Sequence, residues 1–227
     1  MRFIIRVCAL SVVLSLLLAA PVGAQVAEGY SFKSTSTGTT ADAYWQTCTP
    51  DTPELGLQTC NGTSVNVLEG SQRFMSDVEG PARGGSIACV GTQTWIQGPE
   101  FFEELSFASG CTDSFTFTAA ADLSTAHLTA TVPLTELECT ETGCEPVGEP
   151  FNVAIDATWT AVGPAQTVRE HGVFHYYHDG FWCKSKQSRQ GLAAFATATG
   201  AIDGTDLGTA QFAQVFSGRT RFADSCR

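Results

Sequence analysis

The densest run of side chains able to do chemistry is Glu170-His171-Gly172-Val173-Phe174-His175-Tyr176-Tyr177-His178-Asp179, with Trp182 and Cys183 just beyond it. It holds three of the chain's four histidines. Imidazole nitrogen is a good zinc or copper ligand, and a carboxylate can complete such a site. On a strand, however, His171 and His175 share a face two strand steps apart, roughly 13 Å. Donors to one ion must lie much closer, unless a bulge at Gly172 shortens the gap. No His-Glu-x-x-His pattern occurs. The sequence therefore points to no metal and no cofactor. The reading that remains is an aromatic platform made of His175, Tyr176, Tyr177, His178 and Trp182. Aromatic faces cover apolar ring surfaces while their polar tips orient a ligand such as a sugar. Strand alternation works against part of this set, because it sends about every second side chain inward.

Other chemistry finds less support. Gly84-Gly85-Ser86-Ile87-Ala88 has alanine where a nucleophile elbow needs its last glycine. Glu103 and Glu104 are adjacent, so on a strand they point to opposite faces and do not act as an acid–base pair. Asp203-Gly204-Thr205-Asp206 lacks the alternating acids of a calcium loop and reads as a hairpin turn. The expected function is non-catalytic: a binding or structural protein whose partner is a carbohydrate or a cell-surface protein. The alternative is a secreted hydrolase with a site assembled from separate strands around His175 and His178. A flat, solvent-facing aromatic row would mark the binder. A concave pocket with a histidine in hydrogen-bond reach of Ser, Asp or Glu would mark the hydrolase.

The compartment follows from the first residues. Arg2 and Arg6 precede an apolar run from Ala9 to Ala20, and Val22-Gly23-Ala24 ends in small residues. This reads as a secretory signal peptide over residues 1–24, leaving residues 25–227 as a single secreted, extracellular β domain. Eight cysteines follow the leader: Cys48, Cys60, Cys89, Cys111, Cys139, Cys144, Cys183 and Cys226. An even number in an oxidising compartment predicts four disulfides. Oxidised, they cannot serve as thiolate nucleophiles. Nearest-neighbour pairing is expected, with Cys139–Cys144 closing a tight turn. Each bridge adds about 2 to 4 kcal/mol in the chain-entropy description.

The formal net charge of −11 becomes −13 once Arg2 and Arg6 leave with the leader. An acidic surface disfavours phosphate backbones and anionic lipid heads, so nucleic acid is not an expected partner. No apolar run after the leader is long enough for a spanning helix, and no membrane insertion is expected.

The elements that must position these residues are strands. Charged residues make up only 15% of the chain, which disfavours exposed helices. Ser114–Thr118, Leu128–Val132 and Val153–Trp159 alternate apolar and polar side chains with period two, the mark of strands with one buried face. Further strands are expected at Tyr30–Lys33, Ala41–Thr47, Ser64–Glu69, Ser86–Ile96, Val168–Tyr177, Leu192–Ile202 and Thr209–Ser217. Gly-, Pro- and Asp-rich turns separate them. The low-complexity run Ser34–Ala41 reads as a mobile loop or a poorly ordered edge strand, and Pro99–Leu105 as a short helix start. The fold class is all-β: a single antiparallel β-sandwich, or barrel-like, domain of about ten strands stapled by disulfides.

Overall fold

The computed structural model describes residues 30–52, 56–76, 80–99, 101–140, 143–178 and 181–226. Residues 1–29, over which the leader is expected, and the side chains of Cys139, Cys144 and His178 lie outside the described residues. The fold is all-β, with twelve antiparallel strands in one sheet and no helix among the described residues. In chain order they are β1 (Tyr30–Thr52), β2 (Leu57–Ser76), β3 (Gly80–Gly84), β4 (Ile87–Gln97), β5 (Phe102–Thr112) and β6 (Phe115–Ala119). The second half comprises β7 (Thr125–Thr140), β8 (Gly143–Ala161), β9 (Gln166–His178), β10 (Phe181–Ile202), β11 (Thr205–Thr209) and β12 (Phe212–Cys226).

The order β1-β12-β10-β8-β7-β5-β4-β2 closes on itself, because β2 also pairs with β1, giving a ring of eight strands. Period-two alternation fills that ring. Val153, Ile155, Ala157 and Trp159 of β8 point inward and are buried. They meet Ala41, Ala43 and Trp45 of β1, Val65 and Val67 of β2, and Ala213 and Val215 of β12 in one cluster. The indole N–H groups inside find backbone acceptors: Trp159 Nε1 donates to the Asp42 carbonyl at 2.9 Å and Trp45 Nε1 to the Gly208 carbonyl at 3.1 Å. Each bond spares a buried donor its desolvation cost of about 1 to 3 kcal/mol.

Four strands run past the ring and, with β9 and β3 at the edges, form a six-stranded flange in the order β9-β10-β12-β1-β2-β3. Ring and flange meet along a line of glycines in register: Gly70 of β2, Gly38 of β1, Gly218 of β12 and Gly191 of β10. A Cβ on Gly38 would sit 2.1 Å from the Glu69 carbonyl oxygen, and one on Gly191 2.2 Å from that of Ser217. The sheet folds sharply here. Gln214 and Thr220 are six residues apart on one face of β12, roughly 20 Å along a straight strand. Arg189, the cross-strand partner of Thr220, nevertheless reaches Gln214 with a hydrogen bond of 3.3 Å. The flange therefore folds back over the outer wall of the ring, giving a barrel with a second layer.

Among the described residues three disulfides each join directly opposed residues of neighbouring strands: Cys48–Cys60, Cys89–Cys111 and Cys183–Cys226. They follow the nearest-neighbour expectation and are consistent with an extracellular protein. The backbone register also sets Cys139 opposite Cys144.

Several expectations change. Ser34–Ala41 is neither loop nor edge. It lies inside β1 and is paired on both sides, and it joins the two strands expected at Tyr30–Lys33 and Ala41–Thr47 into one. Its small residues suit the glycine fold line rather than mobility. The Pro99–Leu105 stretch holds a tight turn, with mutual backbone bonds between Gly98 and Phe101, and then enters β5 at Phe102. The strand expected at Thr209–Ser217 divides between the end of β11 and the start of β12. Asp203-Gly204 is the hairpin turn read from the sequence, both residues having positive φ, 49° and 77°.

Candidate ligand sites

The β9–β10 hairpin carries the aromatic cluster, and its register divides the expected site between two faces. Trp182 stands opposite Tyr177, with ring centroids 5.4 Å apart and an edge-to-face tilt of 65°. Both are exposed, 61% for Tyr177 and 68% for Trp182. His175, two residues along, shares this outward face opposite Lys184. Tyr176 lies on the other face, where its hydroxyl donates to Asp224 at 2.6 Å. The five residues thus form no single platform: His175, Tyr177 and Trp182 share the outer face, Tyr176 is turned away, and the His178 side chain is outside the described residues. His171 shares that outer face too, but β9 runs through Gly172 without a register shift, so the two histidines stay two strand steps apart. Among the described residues no group of three or more His, Cys, Asp or Glu is placed to hold a metal.

Tyr177→Ala and Trp182→Ala are each expected to change unfolding free energy by less than about 1 kcal/mol, since the rings are solvated. Tyr176→Phe removes a donor to a buried carboxylate and is expected to cost about 1 to 2 kcal/mol. Urea unfolding of the three variants checks both statements. Equal losses in all three would mean that the outer rings are packed as core.

A concave feature lies where the flange folds over the ring, and the sequence reading did not find it. It is a cleft of about 240 Å³. Three aromatic rings form one wall, with Phe32 6.3 Å from Phe74 and 6.2 Å from Phe222, centroid to centroid. A hydrogen-bonded chain crosses the opposite side. Gln214 Nε2 donates to Asp42 Oδ2 at 3.2 Å, and Arg189 Nη1 donates to Gln214 Oε1 at 3.3 Å. The Arg189 guanidinium is held flat by Phe216, 4.0 Å from its ring centroid. Desolvation pushes the Asp42 carboxyl up to about 6, against the opposing pull of the Gln214 hydrogen bond and the Arg189 charge. Desolvation likewise lowers the Arg189 guanidinium, against the charges of Asp42 and Glu170. Asp42 directly follows the low-complexity run, and Phe32 lies ten residues before it on the same strand. Only the fold at Gly38 lets them line one space.

The fourth histidine does find a carboxylate. His127 Nε2 lies 3.0 Å from Asp156 Oδ1, diagonally across β7 and β8. Both side chains are open to solvent, 45% and 64% exposed. This is the arrangement of a cross-strand surface pair, with a contribution of about 0.2 to 1 kcal/mol.

Charge is strongly segregated. No Lys or Arg occurs between Arg83 and Arg169, a stretch that holds eleven Asp and Glu residues. The cations gather instead on the outward face of the flange. Arg169 is on β9, Lys184 and Lys186 on β10, and Arg219 and Arg221 on β12, with register placing all of them on the side of Trp182 and Tyr177. Lys33, Arg73 and Arg83 extend the same face across β1, β2 and β3. Eight of the ten Lys and Arg residues after residue 24 are therefore on one face, all exposed. Glu69, beside the glycine line, is the one carboxylate on it among the described residues.

Comparison with protein families, with characterised proteins and with solved structures finds no match for this chain.

Proposed function

We propose that the protein is a secreted, non-catalytic binding protein whose cleft holds one small ring of mixed apolar and polar character, of the kind a sugar residue presents. The observation that carries this reading is the Asp42–Gln214–Arg189 chain facing the Phe32, Phe74 and Phe222 rings across a space of about 240 Å³. Planar polar side chains opposite aromatic faces match a ring that has hydroxyls at its edge and C–H groups on its face. The volume is below the roughly 300 Å³ at which drug-sized pockets begin, so it suits one ring and not a chain. Among the described residues Asp42 is the single carboxylate lining the cleft, whereas acid–base cleavage of a glycoside draws on a pair. The leader at residues 1–24 and the disulfides support an extracellular setting.

A glycan screen of the secreted protein, followed by titration of the best ligand, tests the reading. Phe74→Ala is expected to weaken binding about tenfold by removing one stacking wall, and Tyr177→Ala to leave it unchanged. Binding that ignores Phe74→Ala, or a screen in which no neutral glycan binds, would sink it.

A further inference from the structure

We propose that the outward face of the flange is a docking surface for an acidic polysaccharide, whose carboxylate or sulfate groups pair with its cations while a sugar ring stacks at Tyr177 and Trp182. The face is the side of the sheet opposite the cleft, and the inference stands independently of it. Six strands at about 4.8 Å spacing give a surface roughly 24 Å wide. Three observations select its occupant.

First, the chain is acidic overall, so placing eight of ten cations on one exposed face produces a local field opposite in sign to that of the molecule. Such a field attracts and orients an extended anion. The one ion pair among the described residues, His127–Asp156, lies elsewhere on the ring wall, so no ion pair with a described residue neutralises these cations. Second, the spaces between cations hold mainly neutral hydrogen-bonding groups, with Val173 and Met75 the exposed large apolar side chains among them. Thr35 and Thr37 of β1, Ser71 of β2, and Ser188 and Gln190 of β10 share the face. Hydroxyl and amide groups between charges match a chain that alternates anionic groups with sugar hydroxyls, and the oligonucleotide and vesicle comparisons below separate it from phosphate ligands, which such groups can also bind. Third, the exposed Tyr177–Trp182 pair stands at the β9 edge of this face, offering a stacking surface at its border and not a central apolar wedge for a bilayer.

Affinity electrophoresis of the full secreted chain in polygalacturonate tests the inference, with neutral dextran as the control. Retardation by polygalacturonate and not by dextran is expected, falling steeply as salt rises above about 50 mM because exposed charges are screened. The triple variant K184S/K186S/R221S is expected to bind about tenfold more weakly with an unchanged melting temperature, since all three side chains are solvated. Trp182→Ala is expected to bind about threefold more weakly while keeping the salt dependence. Phe74→Ala, in the cleft, is expected to be retarded like wild type; loss of retardation there would place binding in the cleft and overturn the assignment. Absence of retardation by polygalacturonate, or equal retardation of the triple variant, would also overturn it. So would tighter binding of single-stranded oligothymidylate, or of vesicles of phosphatidylcholine and phosphatidylglycerol, at matched charge concentration.

Discussion

Gly38→Val is expected to lower the unfolding free energy by about 4 kcal/mol or more, and with it the yield of folded protein. Two independent penalties combine. The Gly38 backbone has φ of 145°, a conformation that residues with a side chain rarely adopt. Its missing Cβ is also the space that the Glu69 carbonyl and the Gly70 Cα occupy, at 2.1 and 2.8 Å from where that Cβ would stand. Neither neighbour is the free end of a flexible side chain, so the backbone itself must separate. Separation at Gly38 opens the fold line between ring and flange and exposes the Phe32, Phe74 and Phe222 wall. Gly163→Val is the matched control, because nothing lies within 4 Å of its ideal Cβ. It is expected to change stability by less than about 1 kcal/mol. Urea unfolding of the two variants side by side decides the matter: a Gly38→Val loss no larger than the control's would mean that the crease is not tightly packed.

Asp42→Asn is expected to stabilise the protein at pH 7 by about 2 kcal/mol and to change it little near pH 4. The carboxyl is raised from 3.8 to about 6 in the folded chain, because the flange removes it from water. Between those two values the folded state holds a proton that the unfolded state has lost. Stability from this group is therefore greatest near pH 4, declines as pH rises toward 6, and stays reduced above it. Asparagine accepts the same hydrogen bond from Gln214 without carrying charge. Unfolding measured at intervals from pH 4 to pH 8 in wild type and variant isolates the effect, since the other titrating groups are common to both. A difference that is flat with pH, or one that favours wild type at pH 7, would show that the Arg189 charge offsets the desolvation of Asp42.

Val153–Trp159 was legible as a strand because its signal is local: a period of two, with valine, isoleucine and tryptophan on the same side, does not depend on what the strand pairs with. Cys48–Cys60 and Cys89–Cys111 were legible for a related reason, as hairpins bring cysteines close in sequence into opposition, whereas Cys183–Cys226 joins β10 to β12 across the intervening β11. The pairing of β9 with β10 fits the turn expected between them, and with it the alternation along His175, Tyr176 and Tyr177 was legible. Which side of that alternation faces water was not. Tyr177 and Trp182 are open, and Tyr176 is turned toward Asp224, only because the flange folds toward the ring and not away from it.

The cleft was invisible for a sharper reason. Gly38, Gly70, Gly191 and Gly218 are unremarkable singly and far apart in the chain, and their alignment exists only once four strands take their register. Asp42 reads as an ordinary exposed strand acid until that line folds the flange over it. The same register turns a net charge of −11, which composition alone supplies, into one cationic face on an otherwise acidic molecule. By itself, then, the sequence determined the all-β class, the period-two strands of the ring such as Val153–Trp159, the near-neighbour pairing of the described cysteines and the overall acidity, all of which depend on residue type and order along the chain. Tertiary structure decided the fold line, the buried carboxyl, the cleft and the segregation of charge, because each needs residues from distant strands to be brought opposite one another.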